Sequence, residues 1–222
     1  MVQNIVGSRA LVYTVRKIEP GMFASSILTN STLAALDLSE NSLGKYGTQV
    51  LAEALKINST LTTLNLCGTQ ALAKALKFNL TLTTLDLSNN AIGDNEALAL
   101  SEALKVNSTL TTLNLCYSSI NDKGALALSE ALKTNSTLTA LNLKCNPIDP
   151  NGAQAPSDAL KTNSTLTTLH LSWIGDNGAH ALAEALKINS TLAALDLSYN
   201  SLGSSGAQAL AEARMALTTR YF

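Results

Sequence analysis

Few residues in this chain could carry chemistry. Two histidines, His170 and His180, and three cysteines, Cys67, Cys116 and Cys145, are its only imidazoles and thiols. Neither histidine lies in an H-E-x-x-H helix and the cysteines make no C-x-x-C pair. Neither G-x-x-x-x-G-K-[ST] nor G-x-S-x-G occurs. His170 can approach Asp196, but catalysis also needs a nucleophile and a group that orients the base, and none is arranged around it. The sequence therefore assigns no catalytic, cofactor-binding or metal-ligating residue, and it reads as a non-enzyme.

One short motif recurs. Asn30, Asn58, Asn107, Asn135, Asn163 and Asn189 each begin N-S-T, and Asn79 begins N-L-T. Read as glycosylation acceptors, they would point to secretion. Each also falls where a helical pattern ends and a strand pattern starts. Asparagine tolerates a left-handed backbone at a helix end, and threonine suits the strand that follows. The sequence predicts a structural role for these asparagines.

The elements that position these residues come from one unit copied along the chain. In Leu82–Thr109, LTTLDLSNNAIGDNEALALSEALKVNST, residues Leu82, Leu85, Leu87, Asn90 and Ile92 fit L-x-x-L-x-L-x-x-N-x-L. The second half, Ala97 to Lys105, has apolar residues at helical spacing, with Glu102 and Lys105 on a polar side. Such a strand, turn and helix cannot bury their apolar faces alone, but stacked copies can. Copies begin at Leu33, Leu61, Leu82, Leu110, Leu138, Leu166 and Leu192, in steps of 28, 21, 28, 28, 28 and 26.

An array with both L-x-x-L-x-L and G-A-x-A-L-A-E-A-L halves resembles the ribonuclease-inhibitor subtype of the leucine-rich repeat family, from about Met22 to Ala216. The resemblance implies an α/β fold, a right-handed horseshoe solenoid with parallel strands on the concave face and helices on the convex face. Family members include inhibitors, sensor domains and GTPase activators, so fold alone implies no function. Ran-type GTPase activators share the subtype, but no arginine occurs between Arg16 and Arg214. NOD-like receptors carry similar arrays beside a nucleotide-binding module that is missing here. Ribonuclease inhibitor itself is richer in cysteine and tryptophan.

Composition fits a solenoid: 14% charged, 4% aromatic, bulk from Leu and Ala. A net charge of −1 gives no footprint for nucleic acid. No apolar run of about 18 residues suggests a membrane helix, and the first 21 residues, interrupted by Arg9 and Arg16, make a poor signal peptide. A cytoplasmic or nuclear chain is expected. Cys67 and Cys116 share a repeat position two units apart, about 10 Å and beyond disulfide reach. Cys145 lies one position further along its own unit, so three reduced thiols are expected.

The units differ instructively. Residues 1–21 form a flank where a cap belongs, with Ala10 to Val15 as a short strand. Array residues 22–216 follow, opening with a helix tail and turn over Met22–Thr32. The first unit places Asn41 at the asparagine position. The unit from Leu61 lacks seven residues of the strand-to-helix loop, which predicts a tighter connection and a break in the asparagine ladder. Ser118 replaces the asparagine of the unit from Leu110. Asp149-Pro150 reads as an N-cap and first helical residue, whereas Pro156, at the position of Leu100, Leu128 and Leu182, predicts a kinked or partly unwound helix. The unit from Leu166 lacks two residues and its asparagine. The pattern decays over 217–222, with Arg220 where a leucine belongs, so the chain reads as a piece of a longer array or one that has lost its end.

The outward strand positions form a flat strip of small residues with a column Asp37, Asn65, Asp86, Asn114, Asn142, His170, Asp196. Tyr117, Trp173 and Tyr199 lie beside the strand ends, and binding energy usually concentrates in such anchors. Tyr117, His170, Trp173, Asp196 and Tyr199 are the candidate partner-binding residues. On the helices, Glu53/Lys56, Glu102/Lys105, Glu130/Lys133, Asp158/Lys161 and Glu184/Lys187 read as a solvated face. The expected function is a non-catalytic protein–protein interaction module. It would take a protein partner and no cofactor, small-molecule substrate, nucleic acid or membrane.

Overall fold

The computed structural model describes residues 2–7, 10–15, 30–39, 43–66 and 71–218. The expectations for the helix tail before Asn30, for Asn41 and Cys67, for the shortened loop after Leu66 and for Arg220 lie outside them.

Strands and helices alternate. After β1 (Val2–Gly7) and β2 (Ala10–Val15) come β3 (Ala35–Leu38), α1 (Gly44–Ile57), β4 (Thr63–Leu66), α2 (Leu72–Leu76), β5 (Thr84–Asp86), α3 (Gly93–Leu104) and β6 (Thr112–Asn114). Then follow α4 (Asp122–Leu132), β7 (Ala140–Asn142), α5 (Gln154–Leu160), β8 (Thr168–His170), α6 (Gly175–Leu186), β9 (Ala194–Asp196) and α7 (Ser204–Thr218). Among the described residues the nine strands form one sheet in chain order. β1 and β2 are an antiparallel hairpin, and β2 pairs in parallel with β3. From β3 to β9 every pairing is parallel.

The register keeps every unit in phase. Leu36, Leu64, Leu85, Leu113, Leu141, Leu169 and Leu195 pair in one row. Alternation sends these leucines inward and their neighbours outward. The inward rows meet Ala97, Leu100, Ala103 and Leu104 of α3, and their equivalents in other helices, in one core. Fully burying one such leucine contributes about 1.5–3 kcal/mol. Strands lie about 4.8 Å apart, whereas packed helices need about 8–10 Å. That mismatch bends the stack, with the sheet on the concave side and helices outside: a right-handed solenoid of strand–helix units. Leu192, Leu195 and Leu197 are only partly buried, as the final described unit has a neighbour on one side.

The repeating asparagines sit at the joints, for a reason other than the one expected. None of them has positive φ, and Asn58 is extended at φ −68°, ψ 127°. Their side chains carry the load instead. Asn107 Oδ1 accepts from the N–H groups of Thr109 and Leu110 at 3.1 and 2.8 Å. Its Nδ2 donates at 2.8 Å to the carbonyl of Leu76, the last residue of the preceding helix. Asn79, Asn135, Asn163 and Asn189 reach Leu55, Leu104, Leu132 and Leu160 in the same way. Each amide thus satisfies an orphan helix-end carbonyl and fixes the turn into the next strand. These asparagines are 2–7% exposed, and a glycan on Nδ2 is incompatible with this packing.

A second tie was not read from the sequence. Asp94 Oδ1 accepts from the N–H groups of Asn121 and Gly124 in the next unit, at 3.0 and 2.9 Å. Asp122 likewise binds Asp149 N–H, and Asp176 binds Gly203 N–H. Gly124 is required by this approach, because a Cβ there would lie 2.7 Å from Asp94 Oδ1. On the helix surface all five acid–lysine pairs form at 2.5–2.7 Å. Being exposed and screened by solvent, these pairs contribute little to stability.

The loop ladder also forms. Asn90 Nδ2 donates to Leu66 and Leu87 carbonyls, Asn146 to Leu115 and Leu143, and Asn200 to Leu171 and Leu197. Ser118 Oγ donates to Leu87 O at 3.2 Å and to Cys116 O at 3.4 Å, whereas Asn146, besides donating, accepts through Oδ1 from Ser118 and Ile120 N–H.

Pro156 shortens its helix. α5 has 7 residues where α3 and α6 have 12, and residues 150–153 form turns. Starting at Gln154 puts Pro156 in the first turn, where an N–H has no intrahelical partner anyway. Asp149 is therefore not the helix N-cap. Its Oδ1 accepts from Asn151 and Gly152 N–H at 2.7 and 2.9 Å and closes the turn before the helix.

Two outcomes follow. Asn107→Ala should lower the unfolding free energy by about 1–3 kcal/mol through unsatisfied buried groups, read as a lower urea midpoint with unchanged fold by circular dichroism. An unchanged midpoint would remove the amide from the joint. Pro156→Leu should lengthen α5 towards Asn151, so the amides of Gln154 and Ala155 gain hydrogen-exchange protection. Equal protection in both chains would show that proline does not set the helix start.

Candidate interaction surface

The in-phase register builds the candidate surface column by column. Asp37, Asn65, Asp86, Asn114, Asn142, His170 and Asp196 are paired partners across successive strands. Their side chains point away from the core because each follows an inward leucine. Asn114 Nδ2 donates to Asp86 Oδ2 at 2.9 Å, so these two neighbours in the column are joined by their side chains as well as through the backbone.

Three residues past the column runs a second row: Asn89, Tyr117, Cys145, Trp173 and Tyr199. All five adopt positive φ, between 53° and 62°. The chain turns there from strand towards helix, and the left-handed conformation swings each side chain outwards. Tyr117, Trp173 and Tyr199 are 58%, 51% and 72% exposed. Holding bulky side chains in this region costs free energy, on the order of 1–3 kcal/mol each, and such positions cluster where ligands are held.

The two parts meet at Asp196. His170 Nδ1 lies 3.2 Å from Asp196 Oδ2, as the adjacent strands place them. The same oxygen accepts from Lys144 Nζ at 2.9 Å, while Asp196 Oδ1 accepts from Ser198 N–H at 2.8 Å. Lys144 also donates to Ser198 Oγ and sits 5.1 Å from the centre of the Tyr199 ring. The Lys144 ammonium, then the Ser198 amide, hold the Asp196 carboxyl well below the usual carboxylate range. The Asp196 carboxylate in turn raises the Lys144 ammonium. At the other end, a hydrogen bond with the Cys145 thiol pushes the Tyr117 phenol up.

The residues singled out from sequence thus fall into two contacts and a row. His170, Asp196 and Tyr199 are joined through Lys144, Tyr117 stands against Cys145, and Trp173 lies between them in the row. His180 is elsewhere, on α6, with Nε2 2.9 Å from Ser205 Oγ. Lys144 was missed. Its signal was available: Ser39, Ser88, Cys116, Ser172 and Ser198 occupy the equivalent position, and only Lys144 among these can span two strand spacings.

Asp196 accepts from Lys144 and Ser198 and lies beside His170, and among the described residues no hydroxyl or thiol is hydrogen-bonded to His170 as a base–nucleophile pair would require. Among the described residues no group of three or more His, Cys, Asp or Glu side chains is placed to hold a metal ion. A groove of about 470 Å³ lies on the helix side between Lys45, Gln49, Glu53 and Lys74, away from the aromatic row.

Comparison with known proteins matches the family described as "Leucine Rich repeat" at residues 78–101, 106–129, 134–155, 162–183 and 189–211. No curated protein sequence matches significantly. Among solved structures, one titled leiomodin-1 actin-binding site 2 is similar, with 29% identity and a TM-score of 0.56. That similarity covers 66% of this chain and 83% of the other. A Caenorhabditis elegans tropomodulin C-terminal domain matches at 13% identity and a TM-score of 0.40, covering 92% of this chain and 96% of that one.

The Lys144–Asp196 contact can be tested directly. Carboxyl carbon NMR should find Asp196 titrating below ordinary aspartates, and Lys144→Ala should move it upwards. The sign follows: a depressed carboxyl stabilises the fold above the ordinary carboxylate range, and that contribution is lost as pH falls below it. An Asp196 titration that ignores the substitution would rule the contact out.

Proposed function

We propose that this chain, which belongs to the leucine-rich repeat family, is a non-catalytic module that binds another protein along the aromatic edge of its strand face. The observation that carries the reading is the exposed row of Tyr117, Trp173 and Tyr199, anchored by Lys144 and Asp196 beside a strip of small side chains. Interfaces draw their energy from aromatic anchors surrounded by near-neutral contacts, and preorganised anchors lose less entropy on binding. The pairing of a strand half with an A-L-A-E-A-L helix half supports assignment to the ribonuclease-inhibitor-like subtype. We place the protein in the cytoplasm or nucleus, its partner neither nucleic acid nor membrane.

A second reading concerns the partner's identity. The similarity to the leiomodin-1 structure, named as an actin-binding site, favours actin as the first protein to try. The chemistry is compatible, because a flat edge of rings suits a protein surface better than a small molecule, which prefers a concave pocket.

Affinity capture with the whole chain, followed by Trp173→Ala and Tyr199→Ala, tests the reading. Partners held through this edge should be lost from both variants, with affinity falling at least about 10–30-fold, as anchors worth about 2 kcal/mol require. Leu98→Ala and Leu126→Ala, on exposed helix positions, should retain them. An identical partner set for all four variants would move the interface elsewhere. Purified actin in the same assay decides the second reading.

A further inference from the structure

Cys116 and Cys145 belong to successive units, and the register brings them together. Asn114 pairs with Asn142, and past the strand ends Tyr117 N–H still donates to Lys144 O at 3.1 Å. Cys145 is therefore the diagonal neighbour of Cys116, one strand gap across and one residue along. A gap of about 4.8 Å and a rise of about 3.3 Å put their Cα atoms about 6 Å apart. That falls in the window a disulfide requires, about 4.4–6.8 Å. The side chains lie close as well: both cysteines are free and half-buried, and Cys145 is near enough, after burial, to push the Cys116 thiol up. Ser172 Oγ accepts from Cys145 N–H at 2.6 Å and pins the left-handed turn that presents this thiol.

We propose that Cys116 and Cys145 are a redox modification site, closing to a reversible inter-unit disulfide when the protein meets a peroxide. Burial pushes the Cys116 thiol up, which disfavours its thiolate and suits it to the resolving step. Cys145 gives up its thiol proton, its sulfur attacks one oxygen of hydrogen peroxide as the O–O bond breaks, and the leaving hydroxide takes up that proton as water, leaving a sulfenic acid. The Cys116 sulfur then attacks the sulfenic sulfur. The S–S bond forms, and the sulfenic hydroxyl leaves with the Cys116 proton as a second water. Two thiols are oxidised and one peroxide is reduced to two waters. A thiol reductant reverses the bond by exchange. The bond would staple two units beneath the aromatic row and remove the thiol that hydrogen-bonds Tyr117. The site stands whether or not that row binds a protein.

The test is hydrogen peroxide on the folded whole chain, followed by alkylation and peptide mass spectrometry without reduction. The expected product is a linked pair of peptides carrying Cys116 and Cys145, two hydrogens lighter than the free pair and lost on adding dithiothreitol. Cys67→Ser should keep the link. Cys116→Ser should lose it and leave Cys145 as sulfenic or sulfinic acid. Oxidation in urea should lower the specific link at least several-fold, since the fold creates the proximity. Unreacted thiols, separate sulfinic acids on both cysteines, or links involving Cys67 at equal yield in the folded chain would each overturn the proposal.

Discussion

The buried asparagine amide at each helix-to-strand joint is the interaction on which the stack depends. A helix end leaves carbonyls unsatisfied, and a solenoid buries those ends against the next unit, where water cannot reach them. Asn79, Asn107, Asn135, Asn163 and Asn189 solve the problem with one side chain each. The oxygen closes the turn onto two N–H groups, and the nitrogen satisfies a carbonyl of the unit before. No other neutral side chain of this length carries both an acceptor and a two-proton donor. Serine in this place could not do both, as the loop ladder shows: Ser118 Oγ donates to two carbonyls, while Asn146 donates to Leu115 and Leu143 carbonyls and also accepts from Ser118 and Ile120 N–H.

From that joint the remaining regularity follows. Once each turn starts the next strand at the same residue, the strands pair in phase, the leucines fall in rows, and outward residues fall in columns. The 21-residue unit keeps the register with a helix, α2, of 5 residues where α3 has 12, and the 26-residue unit does so by starting α6 sooner after its strand, leaving both joints intact. Pro156 is accommodated by the same logic. The helix starts later, the proline lands in the first turn, and the Asn163 joint after it is unchanged, at 2.7 Å from Leu132 O.

This explains what was legible in the sequence. Periodic features could be read because register copies them: the solenoid, the column from Asp37 to Asp196, the His170–Asp196 contact and the lysine–acid pairs. The hairpin strand at Ala10–Val15 was legible from its own pattern. What could not be read depends on side-chain reach or on a backbone state. Turn asparagines looked like left-handed residues because helix ends commonly are, yet the left-handed state falls instead at Tyr117, Cys145, Trp173 and Tyr199. Lys144 escaped notice because its partner lies two units on. Cys116 was compared with Cys67 at the same repeat position, although residues one unit and one step apart are closer than residues two units apart. The Asp94 ties between units were hidden because an aspartate early in a helix is explained well enough by its own helix.

The surface has a consequence for how chemistry should be assigned to repeat arrays. A histidine, an aspartate and a lysine within hydrogen-bonding distance resemble catalytic machinery, but what matters is whether any group is left with capacity to act. Asp196 accepts from Lys144, from Ser198 and beside His170, which lowers its basicity and leaves it a poor proton acceptor at neutral pH. Lys144 is correspondingly held as a cation, unsuited to act as a nucleophile. The ion pair instead fixes a positive charge over the Tyr199 ring. A cation over an aromatic face is attracted by the ring quadrupole, which biases the ring's position without burying it. Spent this way, the charged cluster orders an edge whose rings remain free to meet another surface, and that is the physical basis for reading it as a place of recognition.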